Sequence, residues 1–117
     1  RIENRLGGAD ANPYLALAAT LGAGLLGIEE EINPNKPIKG GAYDIRVPRE
    51  QQVPSNLGES AELFSKSKAA RSLFGDIFVD HFADSRLWEY NEYKKERKIL
   101  EADKISAWEL SRYFEII

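Results

Sequence analysis

Asn12-Pro13-Tyr14-Leu15-Ala16-Leu17-Ala18-Ala19-Thr20-Leu21-Gly22-Ala23-Gly24-Leu25-Leu26-Gly27-Ile28 is the run that decides how the chain reads. Asn is a favourable N-cap, and Pro at the first helical position gives up only an N–H that would have no helical partner. The spacing predicts a helix from about residue 12 to residue 32. Tyr14, Leu17, Ala18, Leu21, Leu25, Ile28 and Ile32 recur at three-and-four intervals and form one apolar stripe. A second stripe is made of small residues: Ala16, Thr20, Ala23, Gly24 and Gly27. A glycine inside a helix costs roughly 1 kcal/mol relative to alanine, and close approach of another backbone is the expected compensation. A helix that is apolar on one side and small on the other calls for burial all round. The rest of a 117-residue chain has little to cover it with.

Upstream, Arg1-Ile2-Glu3-Asn4-Arg5 reads as the end of a β-strand, with Arg1, Glu3 and Arg5 on one face and Ile2 and Asn4 on the other. Leu6 to Ala11 is a turn-rich connection. Downstream, residues 33–55 form a loop marked by Pro34, Pro37, Gly40, Gly41, Pro48 and Pro54, with a short extended segment expected at Tyr43 to Val47. Residues 56–117 read as a helical bundle. Leu57, Ala61 and Phe64 mark a short helix, and Ser67 caps another that runs through Phe74. A longer helix covers about Asp76 to Leu100, with Val79, Phe82, Ala83, Tyr90, Tyr93 and Leu100 on one face, where Arg86 and Arg97 pack their stems. Ser106-Ala107-Trp108-Glu109 is a capping box for a last helix ending near Phe114.

Composition narrows the functional classes. Hydrophobic residues at 43% and charged residues at 30% suit a soluble globular chain and are too apolar for disorder. With 16 Lys+Arg against 19 Asp+Glu, there is no electrostatic footprint for nucleic acid or an anionic membrane. Cys is absent, which excludes disulfides, thiolate catalysis and Cys-based metal sites, and a single His excludes a multi-histidine cage. No signal peptide is visible. The longest apolar run, Leu15 to Ile28, would span about 21 Å as a helix, short of the roughly 30 Å of a bilayer core. The chain has no Met and opens on Arg1, so it reads as a piece of a longer protein and less than one complete domain.

Candidate chemistry centres on the first strand. Two guanidiniums flanking a carboxylate at alternate positions would bring three charges to one surface. There Glu3 can offer hard oxygen to a divalent cation, and Arg1 and Arg5 can bind phosphate or carboxylate bidentately. Alternating charge is also common on plain exposed strand faces. Glu29-Glu30-Glu31 lie where the helix dipole disfavours negative charge, and read as a solvated helix end rather than a cation site. Gly7-Gly8 fits no nucleotide-loop pattern. Lys36 and Lys39 form a mildly basic, solvated loop. His81, between Asp80 and Asp84, reads as structural, since no Ser-His-acid arrangement accompanies it. Trp88, Tyr90, Tyr93, Trp108, Tyr113 and Phe114 read as helix-on-helix packing, because no basic stripe supports base stacking.

Taken together, Arg1-Ile2-Glu3-Asn4-Arg5, Ala11-Asn12-Pro13-Tyr14-Leu15 and the Ala/Gly-rich helix resemble the end of the glutamine synthetase catalytic domain. Asn35-Lys36-Pro37, Asn56-Leu57-Gly58-Glu59-Ser60-Ala61, Trp108-Glu109 and Tyr113-Phe114-Glu115 extend the resemblance along the whole chain. It implies a mainly α chain with a short N-terminal strand, the C-terminal part of an α+β catalytic domain. It also implies that Glu3 ligates an active-site Mg²⁺ or Mn²⁺, that Arg1 contacts nucleotide phosphate, and that Arg5 contacts substrate glutamate and the transferring phosphoryl group. The implied reaction activates the γ-carboxylate of glutamate with ATP and passes the acyl phosphate to ammonia or an amine. The resemblance further implies a cytoplasmic homo-oligomeric ring with active sites between subunits. An isolated piece is then expected to be inactive and to self-associate through the small face of its first helix. Leu6-Gly7-Gly8-Ala9-Asp10 replaces the Pro-Asp pair of ammonia-using members and looks more like the γ-glutamylpolyamine synthetase branch. A different class of reading is a non-catalytic helical scaffolding module that keeps the family shape.

Overall fold

Local capping chemistry accounts for where the helices begin. The structure, a computed structural model, describes residues 2–8, 10–37, 39–41, 45–96 and 104–114. In order come α1 (Pro13–Glu29), a 3₁₀ turn (Arg49–Gln51), α2 (Leu57–Lys66), α3 (Lys68–Phe74), α4 (Asp76–Glu96) and α5 (Ala107–Tyr113). Asn12 caps α1 by accepting from the N–H groups of Tyr14 and Leu15. Asn56 caps α2 by accepting from the Glu59 N–H, while the Glu59 carboxylate reaches back to the N–H and hydroxyl of Ser55. Ser67 ends α2 and caps α3 through its hydroxyl. Ser106 and Glu109 form the reciprocal capping box of α5.

The core lies between α2 and α4. Ala61 on α2 and Val79 and Ala83 on α4 are buried, with Val79 wholly removed from solvent. Gly58 lets α2 lie directly against Tyr90: a Cβ built there would meet the ring at 2.4 Å. Beside this contact Phe64, Phe74, Phe78 and Phe82 pack ring against ring at centroid distances of 5.4–6.4 Å, and Arg86 lies over the Phe82 ring. At the corner between helices, Gly75 adopts φ +80°, a conformation that costs a side-chain-bearing residue strain. Arg71 braces that corner. Its guanidinium donates to the Ser65 carbonyl and to Asp76 and Asp80, and the bonds to Asp80 and then Asp76 raise its pKa.

Glu89 fastens α5 onto α4. It is 7% exposed, and both of its oxygens accept from Arg112, at 2.8 and 3.0 Å, while the Tyr113 hydroxyl also donates to it. Trp108 packs between Tyr93 and Tyr113, and Arg112 sits over Trp88. The hydrogen bonds from Arg112, then that from Tyr113, outweigh burial and hold the Glu89 carboxyl at about 2, down from 4.5. Burial, then the bond to Glu89, pushes the Tyr113 hydroxyl up to about 12.

Three sequence expectations change. Residues 2–5 form no strand, because a ladder needs a second strand and none occurs among the described residues. Helix α1 ends at Glu29 rather than residue 32. Glu31 takes φ 51°, and the Ile32 and Glu31 N–H groups return to the carbonyls of Gly27 and Ile28, which is a Schellman stop. The third change concerns burial. In α1 only Gly22 is buried, where it meets Leu73 of α3, whereas Gly24 and Gly27 have nothing within 4 Å. Its apolar stripe stays open, from 60% exposed at Ile32 to 82% at Tyr14. Arg1, Tyr43, Asp44, Arg97 and Leu100 lie outside the described residues.

Two tests follow from this packing. Because the Glu89 carboxyl is depressed on folding, its contribution to stability is full above pH 4.5 and is lost as pH falls towards about 2. Near-UV circular dichroism should report release of Trp108 within that window. Glu89→Gln should remove the acid step and lower stability by about 2–3 kcal/mol. An unchanged spectrum down to pH 2 would exclude the carboxylate as the fastening. Separately, Gly58→Ala should lower stability by about 1–3 kcal/mol, because Tyr90 has to leave its position. A urea midpoint equal to that of the unaltered chain would show that the close approach is not needed.

Candidate functional site

Glu3 and Arg5, two residues apart, meet side chain to side chain. Arg5 Nε donates to Glu3 Oε1 at 2.6 Å, on side chains that are 86% exposed for Arg5 and 50% for Glu3. The terminal nitrogens of Arg5 have no hydrogen-bond partner among the described residues, so the guanidinium fork remains open to an anionic group. Arg1 lies outside the described residues, and its place beside this pair is not part of the geometry.

Asn4, between the two, points the other way. Its Nδ2 donates to Thr20 Oγ1 on α1 at 3.0 Å, and its Oδ1 accepts from the Leu6 N–H at 3.0 Å. Thr20 in turn donates its proton to the Ala16 carbonyl at 2.8 Å. The charged pair is therefore carried on a short segment that is tied to a helix by a side chain.

A divalent ion such as Mg²⁺ takes six oxygen ligands in near-octahedral geometry. Glu3 is the right kind of donor, but no group of three His, Cys, Asp or Glu side chains converges anywhere among the described residues. These residues alone do not make a metal site; Glu3 can supply one ligand to a site completed by other residues. Glu29, Glu30 and Glu31 are all exposed and form no such group. His81 is exposed on α4.

Two grooves lie elsewhere. One of about 570 Å³ between α1 and α3 is lined by Gly22, Leu26, Leu73 and Phe74, with Glu29 at its rim. The other, about 650 Å³, lies between the 3₁₀ turn and α2, lined by Arg49, Gln52, Ser55, Glu59 and Lys66. The Glu59 carboxylate there is already occupied by Ser55, whose backbone and hydroxyl bonds lower its pKa. Neither groove includes Glu3 or Arg5. No described helix is long and apolar enough to cross a membrane.

The extended Glu3–Arg5 pair leading into the Asn12-capped helix is a combination that can be compared across proteins. Residues 1–113 match the family described as glutamine synthetase, catalytic domain. The chain belongs to the glutamine synthetase family. It is 41% identical to a type-1 glutamine synthetase of Dictyostelium discoideum and 39% identical to a glutamate–isopropylamine ligase of a Pseudomonas species, each over 100% of this chain. It is 38% identical over 98% of its length to a γ-glutamylethanolamide synthetase of Streptomyces coelicolor. The chain spans 21%, 24% and 22% of the lengths of these relatives. No solved structure matches it. Glutamine synthetase-family proteins are ATP-dependent ligases that join glutamate to ammonia or an amine and use divalent metal ions.

Two polar anchors escape a reading of the sequence alone. Thr20 sits in the small-residue stripe, where its size and not its hydroxyl draws notice. Glu89 lies one residue before Tyr90 on the apolar face of α4, and its signal is indirect. Ser106 and Glu109 fix the start of α5, which sets where Arg112 and Tyr113 fall.

Proposed function

We propose that this segment forms one wall of the active site of an ATP-dependent glutamate–amine ligase. The observation that carries the reading is the Glu3–Arg5 pair, held at the end of an extended segment that runs into the Asn12-Pro13 helix start of a chain belonging to this family. In that ligase Glu3 supplies one oxygen ligand to Mg²⁺ or Mn²⁺. Arg5 binds substrate glutamate and then the phosphoryl group in transit, through the terminal nitrogens that its contact with Glu3 leaves open. Arg1 contacts nucleotide phosphate. A divalent ion bound there would offset the negative charge that gathers as phosphate is transferred. The fork of Arg5 suits the same task, because it offers parallel donors to a planar carboxylate or to phosphoryl oxygens.

The acceptor in this reading is a small primary amine rather than ammonia alone. Support comes from relatives named for isopropylamine and ethanolamide products, and from the Gly7-Gly8 connection after Arg5. The γ-glutamylpolyamine branch remains part of this proposal. The assembly proposed is a cytoplasmic homo-oligomeric ring, in which the open stripe of α1 is covered by the rest of the catalytic domain. A segment standing alone is inactive and covers α1 with a second copy.

In the full-length ligase, Glu3→Ala should abolish metal-dependent release of ADP at unchanged folding, and Arg5→Ala should lower activity by at least about 100-fold. Full activity in both variants would exclude Glu3 and Arg5 from the site, and a full-length protein with no glutamate- and amine-dependent release of ADP would instead favour a helical scaffold without catalysis. Sedimentation of the 117-residue chain should show self-association that Gly24→Glu together with Gly27→Glu, on the small face of α1, disrupts. A strictly monomeric chain would contradict the proposed cover of α1.

A further inference from the structure

We infer that Asn4 and Thr20 act as a positioning pair, setting where Glu3 and Arg5 stand by anchoring their segment to α1. This rests on the ligase reading of Glu3 and Arg5, and adds to it two residues that touch neither substrate nor metal.

The hydrogen-bond geometry is fully specified. The Leu6 N–H needs an acceptor, so the oxygen of the Asn4 amide faces it and the nitrogen faces Thr20. A threonine hydroxyl has one proton and lone pairs to accept with. Thr20 commits its proton to the Ala16 carbonyl and offers a lone pair to Asn4. Each group thus has one role, and reversing the amide would set two donors against each other at Leu6. Asn4 uses its donor and its acceptor at once. A hydrophobic residue does neither, and a carboxylate lacks the donor.

The consequence lies with the neighbours. In this segment the side chain of Asn4 supplies a tie to α1. Fixing Asn4 towards α1 turns Glu3 and Arg5 to the opposite side, where they pair. Helix α1 is a suitable anchor because Asn12 caps it at one end and the Schellman stop closes it at the other. Catalytic side chains need placement within about half an ångström, and a displacement of about 1 Å costs on the order of 100-fold in rate. A bond on an exposed surface adds little to global stability, so its effect belongs to the site.

The test is steady-state kinetics of the full-length ligase, with glutamate and Mg²⁺ varied separately, on Asn4→Ala, Thr20→Val, Thr20→Ser and the Asn4→Ala/Thr20→Val double variant. Asn4→Ala and Thr20→Val should each reduce kcat/KM for glutamate by about 10-fold or more and raise the Mg²⁺ needed for half activity, with melting temperature unchanged. The double variant should lose no more than either single one, because the same bond is broken only once. Thr20→Ser keeps the hydroxyl and should restore most of the activity. Losses that multiply in the double variant, or a Thr20→Ser as impaired as Thr20→Val, would overturn the pair. Asn4 is exposed, so Asn4→Ala carries the test should the half-buried Thr20→Val fail to fold. Glu3→Ala is assayed alongside. If it is fully active, the placing of Glu3 in the site fails; if it is inactive while Asn4→Ala is fully active, only the positioning role fails.

Discussion

Helix α2 can lie on α4 only because Gly58 presents no side chain to Tyr90, and most of the remaining packing is arranged around that approach. With the two helices in contact, Ala61 and Ala83 are small enough to be enclosed and Val79 fills the space between them. The phenylalanines then close one flank, and Arg71 ties the corner through α3. Helix α5 joins the opposite end of α4 by a different kind of contact. A buried carboxylate is costly without partners, and Glu89 is tolerated because Arg112 and Tyr113 satisfy it completely. Apolar packing thus builds one end of α4, and a charged fastening holds the other.

Helix starts were the most legible part of the sequence, since Asn12, Ser67 and Ser106 each carry an oxygen that meets an orphan N–H within a few residues. Those are local interactions, fixed by neighbours in the chain. The end of α1 was less legible because the residue in the left-handed position is Glu31, where a glycine would have announced the stop. The strand expected at residues 1–5 and the burial expected for α1 depend on elements that pair or pack from elsewhere. Periodicity reports that a face wants cover; it does not report whether cover is present.

The candidate site divides in the same way. Alternation along residues 3–5 was enough to place Glu3 and Arg5 side by side, and the structure pairs them. What holds them there was not legible, because Asn4 and Thr20 are 16 residues apart and neither belongs to a motif. Polar contacts between distant residues have no period to betray them.

The open stripe of α1 has a bearing on how the chain folds. Helices α2, α3 and α4 follow one another with hardly a residue between them and contact one another directly, so their assembly closes only short loops and should be fast. Helix α1 is separated from them by 27 residues, from Glu30 to Asn56, and meets α3 where Gly22 faces Leu73. Its docking therefore comes late and gains little from this chain. During that delay the stripe from Tyr14 to Ile32 is the surface most open to mispairing, and chaperones would be expected to engage it.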